Sequence, residues 1–462
     1  MLSTACAWAS VRARVPPFDL EPSVTSTSDE TLSEIERATM RRVTVRIMPL
    51  LMLGFLVAFI DRVNVGFAAL QMNADAGLSA SVFGLGAGLF FVAYFLLEVP
   101  SNLMLERFGA RLWLARIMIT WGLISAATAL VVGPISFCAV RFLLGAAEAG
   151  FYPGVIFYLT RWFPKAYRAR VIALFAVAVP LSNFVGSPIS AALLGLDGWM
   201  GLRGWQLMSI VEAAPAVVLG LLVLRFLPEG PDRAPWLDEA QRRWLAGRLA
   251  AERAEQPAVR PSVWRVILDR RVLAAGLIFA GSVGASACLS IWQPQIFKSY
   301  GLSTMEIGLL NSVPFGIAAG LMVLWARRSD RTGERAWHVA GPQALTALCL
   351  AAALAAHGFG PTVAILFLAI LGTYAVKGPF WALVTEWLPP GASAAGIAQI
   401  NAIGNLGAFV GTYLMGVIKD ASGSYALGLL PLALITATGA ALALGLGRTR
   451  PPLVPVLPVE PR

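Results

Sequence analysis

The stretch EVPSNLMLERFGARLWLARIMITWG, residues 98–122, holds the end of one apolar run, a short charged turn and the start of the next run. Its turn, ERFGAR at 106–111, has a second copy, DRTGER, at 330–335. Glu106, Arg107, Gly109 and Arg111 correspond to Asp330, Arg331, Gly333 and Arg335, each at an offset of 224. Four matches at one offset are hard to obtain by accident. Further along, Trp162 and Pro164 recur as Trp387 and Pro389 at an offset of 225. The chain therefore contains two copies of one structural unit.

Working outward from the two turns, apolar runs are marked at about 46–70, 82–105, 112–132, 136–160, 170–196 and 205–227, then at about 272–297, 304–326, 337–357, 361–386, 393–418 and 426–447. Each copy holds six. Composition agrees: the 462 residues are 57% hydrophobic and 13% charged, with mean hydropathy +0.71, against roughly 45–50% and 25% for a soluble domain. A water-soluble enzyme, a disordered chain and a disulfide scaffold are excluded. Twelve spans of about 20 residues need on the order of 240 positions, which the length supplies. The reading is an all-α membrane protein of twelve transmembrane helices in two six-helix bundles. An even number of spans separates the copies, so they share one orientation, and parallel repeats of this kind place a transport site at the midplane between halves. The expected divisions are a disordered tail over 1–45, bundles over 46–228 and 271–447 with a linker over 229–270 between them, and a tail over 448–462. The linker reads as Pro-bounded with a helical, solvated middle.

The formal charge of +10 would suggest nucleic acid in a soluble protein, but here its placement matters. Of 36 Lys and Arg, thirty fall in the two tails, the linker and the loops sharing their side. Only Arg203, Lys298 and Lys419 fall on the other side, and Arg62, Arg141 and Lys377 lie within spans. The positive-inside bias places both termini and the linker in the cytoplasm, and an even number of spans requires the termini to share a side. The first 40 residues lack the continuous apolar core of a signal peptide. Cys6, Cys138, Cys288 and Cys349 show no metal or redox spacing, and two histidines, His338 and His357, are too few for a metal site. Neither a metal nor a nucleic-acid partner is expected.

The repeated turn resembles the signature loop of the major facilitator superfamily. The strings FIDRVNVGFAAL (59–70), EVPSNLMLERFGARLWLARIMITWG (98–122), RFLLGAAEAGFYPG (141–154) and KGPFWAL (377–383) are similar to the anion:cation symporter family within it. The resemblance covers about residues 35–447. It implies the major facilitator fold, a bacterial inner-membrane location, a monomer in bilayer lipid, and carriage of a small organic anion such as tartrate, a sugar acid, phthalate or hydroxyphenylacetate. No cofactor is implied beyond a proton as coupling ion.

Ionisable residues inside spans carry the chemistry. Asp61, Arg62, Arg141 and Glu148 would cost roughly 10–14 kcal/mol in the bilayer if unpaired, so they face one another or a wet cavity. Arg141 and Glu148 are seven apart, about 20° from two full helical turns, and share a face. Asp61 shares its face with Asn64 at i+3, while Arg62 points about 100° away and reaches toward Glu148 or a ligand. A structural ion-pair network is one reading. The other assigns Asp61 and Glu148 as proton-coupling acids and Arg62 and Arg141 as a bidentate carboxylate clamp, and the family resemblance implies the same four positions. When the acids take protons the arginines lose their internal partners and become free for an anion, so proton and substrate binding are coupled.

Other candidates for the substrate cavity are Asn64, Tyr94, Trp292, Gln293, Lys377, Trp381, Asn401 and Asn405, with interhelical packing an equal reading for the amides. Gln295 stands with Gln293 among these, and pairing with backbone carbonyls is the other reading of Lys377. Tyr94, Glu98 and Tyr152 are weaker candidates, and Glu212 is a further in-span charge. The loop residues Glu106, Arg107, Arg111, Asp330, Arg331 and Arg335 are expected to lock helix ends and set the outward/inward equilibrium. Pro180, Pro188 and Pro314 are kinks suited to rocking. The leading expectation is a proton-coupled importer of an organic anion. The alternative is a proton-driven efflux antiporter, for which GSPISA at 186–191 lacks the adjacent Gly-Pro pair. An enzyme or receptor would need a catalytic constellation or sensing domain, and neither is present in the sequence.

Overall fold

The computed structural model describes residues 27–254, 263–388 and 393–448. Among these, every regular element is helical. The first half comprises α1 (Thr27–Asp75), α2 (Ala80–Phe108), α3 (Ala110–Ala126), α4 (Pro134–Glu148), α5 (Phe151–Thr160), α6 (Lys165–Leu194) and α7 (Gly204–Phe226). Two short helices follow, α8 (Glu239–Ala254) and α9 (Val263–Ile267). The second half comprises α10 (Arg270–Lys298), α11 (Thr304–Thr332), α12 (Ala336–Ala352), α13 (Phe359–Ala375), α14 (Lys377–Trp387), α15 (Ser393–Ser422), α16 (Tyr425–Gly428) and α17 (Leu430–Arg448). Taking α4 with α5, α13 with α14 and α16 with α17 gives twelve crossings, the expected number. Eleven are at least 18 residues long and apolar. The twelfth, α12, has 17 residues, about 26 Å at 1.5 Å per residue, close to the hydrocarbon thickness.

Local chemistry sets the helix starts. Ser79 accepts the Val82 N–H at the head of α2, Asp269 accepts the Arg271 and Val272 N–H groups at α10, and Ser303 with Glu306 forms a capping box at α11. The glycines of the repeated turn, Gly109 and Gly333, have φ of +89° and +66°.

Several expectations are corrected. The first helix starts at Thr27 rather than near 46, because Thr39, Met40, Val43 and Ile47 form a buried stripe that packs on α8. Residues 1–26 and 449–462 lie outside the described residues. The linker helix α8 is not merely solvated: its Gln241, Leu245, Leu249 and Glu252 are buried, Arg42 donates to Gln241 at 2.9 Å, and Glu252 accepts the Lys165 N–H at the head of α6. Trp236 stacks on Trp162 with centroids 5.5 Å apart. The fourth and tenth crossings, expected as continuous, are both broken, at Ala149–Gly150 and at Val376.

The two halves meet along α2 with α15, α6 with α11 and α1 with α10. Bonds between them collect at the end away from the termini: Asp420 accepts the Ala80 and Ser81 N–H groups at 3.1 and 2.7 Å, Asn311 donates to Ser187 at 2.8 Å, and Asn73 donates to Gln295 at 3.3 Å. Toward the termini, α5 packs on α2, α3 and α6, and α14 on α10 to α13, each within its own half. The hydrogen bonds between the halves are thus denser at the far end than nearer the termini, where Asn401 donates to Glu98 at 3.4 Å.

Candidate functional site

Helix α1 carries Asp61, Arg62 and Asn64 to the middle of the first half, against α3, α6 and α7. Asp61 is fully buried and accepts from Trp121 at 2.7 Å, from Ser125 and from Asn64 at 3.2 Å. All three donors are neutral. The other Asn64 contact is Glu212 of α7, reached at 2.9 Å, and Ser190 of α6 donates to the same carboxylate at 2.6 Å. One amide therefore bridges two buried carboxylates. Glu212, Trp121, Ser125 and Ser190 were not assigned to the site from sequence; the in-span charge of Glu212 was the visible signal.

Arg62, one residue on, crosses to α4 and forms an ion pair with Glu148. Its guanidinium lies over Phe59, Phe90 and Tyr94, at 4.6, 5.1 and 5.2 Å from the ring centroids, so three aromatic faces and one carboxylate hold it. Arg141 shares a face with Glu148, as the spacing predicts, and both are buried. Among the described residues no acid hydrogen-bonds or ion-pairs with Arg141, and Asp61 and Glu148 act on it only through space. Its guanidinium lies over Phe90 at 5.2 Å, and its Nε and Nη2 atoms are buried without a hydrogen-bond partner.

The break between α4 and α5 follows directly after Glu148. Gly150 has φ +86°, a conformation L side chains rarely adopt, and a Cβ there would stand 2.7 Å from the Ser101 Cβ. By the offset of 225, the next residues of the second half are those around Val376, where α13 ends and α14 begins. Lys377 is the first residue of α14, with Nζ 4.0 Å from the Tyr374 ring centroid. Both breaks fall where helix termini are freed inside the bundle, the arrangement that transporters use at substrate sites.

The remaining candidates separate. Trp381 packs edge-on against Phe279 and is half-buried. Asn401 donates to Glu98 at 3.4 Å, a contact between α15 and α2 across the halves. Asn405 is half-buried on the same helix. Gln293 is fully buried with both amide atoms unpartnered. Trp292 is drawn into packing rather than toward the other site residues: its indole N–H donates to the Thr412 carbonyl at 3.2 Å and its ring meets Phe83 edge-on. In the signature turns, Arg111 lies 3.8 Å from Glu229, while Arg335 binds Asp330 at 2.6 Å and Glu386 at 3.1 Å. Glu106, Arg107 and Arg331 are exposed. The pairs seen in these turns join Arg335 to its own half and Arg111 to the start of the linker, and among the described residues none of them joins the two halves.

Twelve membrane-crossing helices in two parallel repeats, with charged residues buried in the first and one broken crossing in each, define a membrane carrier. The chain belongs to the Major Facilitator Superfamily, whose family model matches residues 51–412. It is a multi-pass transporter of that superfamily, not an enzyme. A chain of Agrobacterium vitis named "Putative tartrate transporter" is 50% identical over 419 residues, 91% of this chain and 97% of its own. A "Quinolone resistance transporter" of Acinetobacter baumannii is 40% identical over 412 residues, 88% of this chain and 94% of its own. Among solved structures, a bacterial homologue of the human lysosomal transporter Spinster, in an inward-facing, unoccupied conformation, superposes with a TM-score of 0.73 at 17% identity, covering 88% of this chain and 97% of that one. That last likeness concerns the fold alone.

Proposed function

We propose that the protein is a proton-coupled importer of a small organic anion, working as a monomer in a bacterial inner membrane with both termini in the cytoplasm. The carrying observation is Arg141, a guanidinium 2% exposed whose Nε and Nη2 have no partner. Asp61 and Glu148 act on it only through space, which leaves its N–H groups unsatisfied, an unfavourable state for a buried cation, and a carboxylate accepts such paired N–H groups bidentately. The relative named for tartrate supports an organic acid.

Coupling follows from the neighbouring pair. While Glu148 is ionised it holds Arg62. A proton taken by Glu148 removes that charge, and Arg62 turns from it to share the substrate carboxylate with Arg141. Asp61 takes the second coupling role, its charge held by three neutral donors and linked through Asn64 to Glu212. Proton and anion then raise each other's affinity reciprocally. The concentration of bonds between the halves at the far end supports reading this conformation as the one open toward the termini, where an importer releases its cargo. The six signature-turn residues bias the equilibrium between this state and its opposite without touching substrate.

Arg141→Ala tests the clamp. The purified protein is titrated calorimetrically with tartrate, galactonate, glucarate, phthalate and hydroxyphenylacetate. The parent binds at least one acid, and the variant binds it about 10- to 100-fold more weakly, the value of one or two charge-assisted hydrogen bonds. Undiminished binding contradicts the assignment.

The relative named for quinolone resistance favours one second reading, export of an organic acid against protons. The same four residues serve it with the direction reversed, and only uptake against efflux in oriented vesicles separates the two.

A further inference from the structure

Helix α11 turns one apolar stripe away from the rest of the protein. Leu309, Val313, Ile317 and Leu324 are 43–63% exposed, and steps of four, four and seven residues keep them on one helical face. In a chain that crosses a bilayer, that face meets acyl chains. The same periodicity then runs into charge. Arg327, Arg328 and Arg331 lie three, four and seven residues beyond Leu324 and are exposed. With Leu324 and Thr332 they line a surface depression of about 390 Å³. From Met305, exposed near the head of α11, to Arg327 is about 33 Å at 1.5 Å per residue, just past a hydrocarbon core of about 30 Å. The three guanidinium groups therefore stand at headgroup depth, next to the acyl chains that the stripe meets.

Among the described residues none of the three makes an ion pair or a side-chain hydrogen bond. The acids close to them in sequence are engaged elsewhere: Asp330 binds Arg335, which also holds Glu386, and Glu334 accepts the Trp337 and His338 N–H groups. The internal repeat shows that the fold does not demand charge at this level. At the offset of 224, Arg327 and Arg328 match Leu103 and Met104 of α2, and only Arg331 has a basic counterpart, Arg107. Leu103 is 57% exposed, so the twin position also faces outward and carries an apolar residue there. Two adjacent arginines in the second copy add charge that neither the signature turn nor the packing uses. The many other basic residues on this side already set orientation.

We propose that the near end of α11 binds an anionic phospholipid, its phosphate held by Arg327, Arg328 and Arg331 and an acyl chain lying along Leu324 and Ile317. The site is separate from the one assigned to the cargo, and the inference does not depend on what the cargo is. Guanidinium groups give a phosphate paired N–H donors, and the apolar stripe gives the same molecule a hydrophobic contact that a free phosphate lacks. Three uncompensated positive charges favour a headgroup with net negative charge over a zwitterionic one, whose ammonium they repel. Helix α11 also packs on α6 of the first half, so a lipid fixed here bears on one of the seams at which the halves meet.

The test titrates the full-length protein in neutral detergent with phosphatidylglycerol and, separately, with phosphatidylcholine, and counts bound lipid by native mass spectrometry. The parent is expected to bind phosphatidylglycerol at least tenfold more tightly. In the double variant Arg327→Gln, Arg328→Gln the phosphatidylglycerol affinity falls about 10- to 30-fold, at about fivefold for each arginine near a charged headgroup, while phosphatidylcholine binding is unchanged. The double variant Arg327→Lys, Arg328→Lys keeps the charge and most of the affinity. Monodisperse elution and an unchanged Tm in lipid-free detergent report that both variants are folded. Equal binding of the two lipids by the parent, or undiminished phosphatidylglycerol binding in the Gln variant, overturns the proposal. Displacement of phosphatidylglycerol from the parent by millimolar inorganic phosphate assigns the arginines to a free anion and overturns it as well.

Discussion

Arg62 and Arg141 both lie over one aromatic ring, Phe90, yet their electrostatic situations differ. Arg62 is ion-paired with a carboxylate and lies over three rings; Arg141 has a ring, unpartnered nitrogens and carboxylates acting only through space. The difference divides the labour: Arg141 is ready for an anion in this state, and Arg62 becomes ready only when Glu148 is neutral. Glu148→Gln makes that neutrality permanent. The variant is expected to exchange labelled substrate across liposomes at a rate near that of the parent while losing accumulation driven by a pH gradient. Uphill uptake persisting in the variant, measured as lumenal label above the external concentration, removes Glu148 from the coupling role. At this scale sequence reasoning identified the charges, since each apolar run that carries one stands out. It did not find the Asn64 bridge to Glu212, because which faces of α1, α6 and α7 meet is decided by packing, not by spacing along one helix.

At the scale of elements, the breaks in the fourth and tenth crossings position the site. Apolar residues run through both, so hydropathy reads each as one continuous span. The N-terminal extension of α1 and the docking of α8 were hidden for a related reason: their buried faces are interrupted by charged residues that read as solvated. Close approach of helices is set by small residues. Where α1 crosses α10, a Cβ on Gly66 would stand 2.5 Å from the Ile291 carbonyl oxygen, a contact between the halves that backbone cannot relieve by rotation. Gly66→Leu is expected to prevent closure of the far end. A thiol reagent applied from the side away from the termini, to a cysteine placed at Asn73, then labels several-fold faster than in the otherwise identical protein with Gly66. Equal labelling places the closed interface elsewhere.

The whole molecule obeys two large-scale regularities that were legible before any coordinates: the offset of 224 to 225 between copies, and the uneven distribution of Lys and Arg. Both survive because a bilayer penalises polar groups and moves few charges across itself, which constrains the sequence along its entire length. The charge asymmetry predicts orientation. A fluorescent protein fused after Arg462 is expected to fluoresce, and alkaline phosphatase inserted in the 196–203 loop to be active; the opposite pattern reverses the topology and with it the direction assigned to this conformation.

The central claim, that proton and organic anion move together, is tested most directly in liposomes holding a pH-sensitive dye, with tartrate, galactonate, glucarate, phthalate or hydroxyphenylacetate added outside one at a time and protein-free liposomes as reference. The account predicts acidification of the lumen with at least one of these acids, abolished in Arg141→Ala. Entry of a labelled acid with no change in lumenal pH, or with alkalinisation, would contradict it.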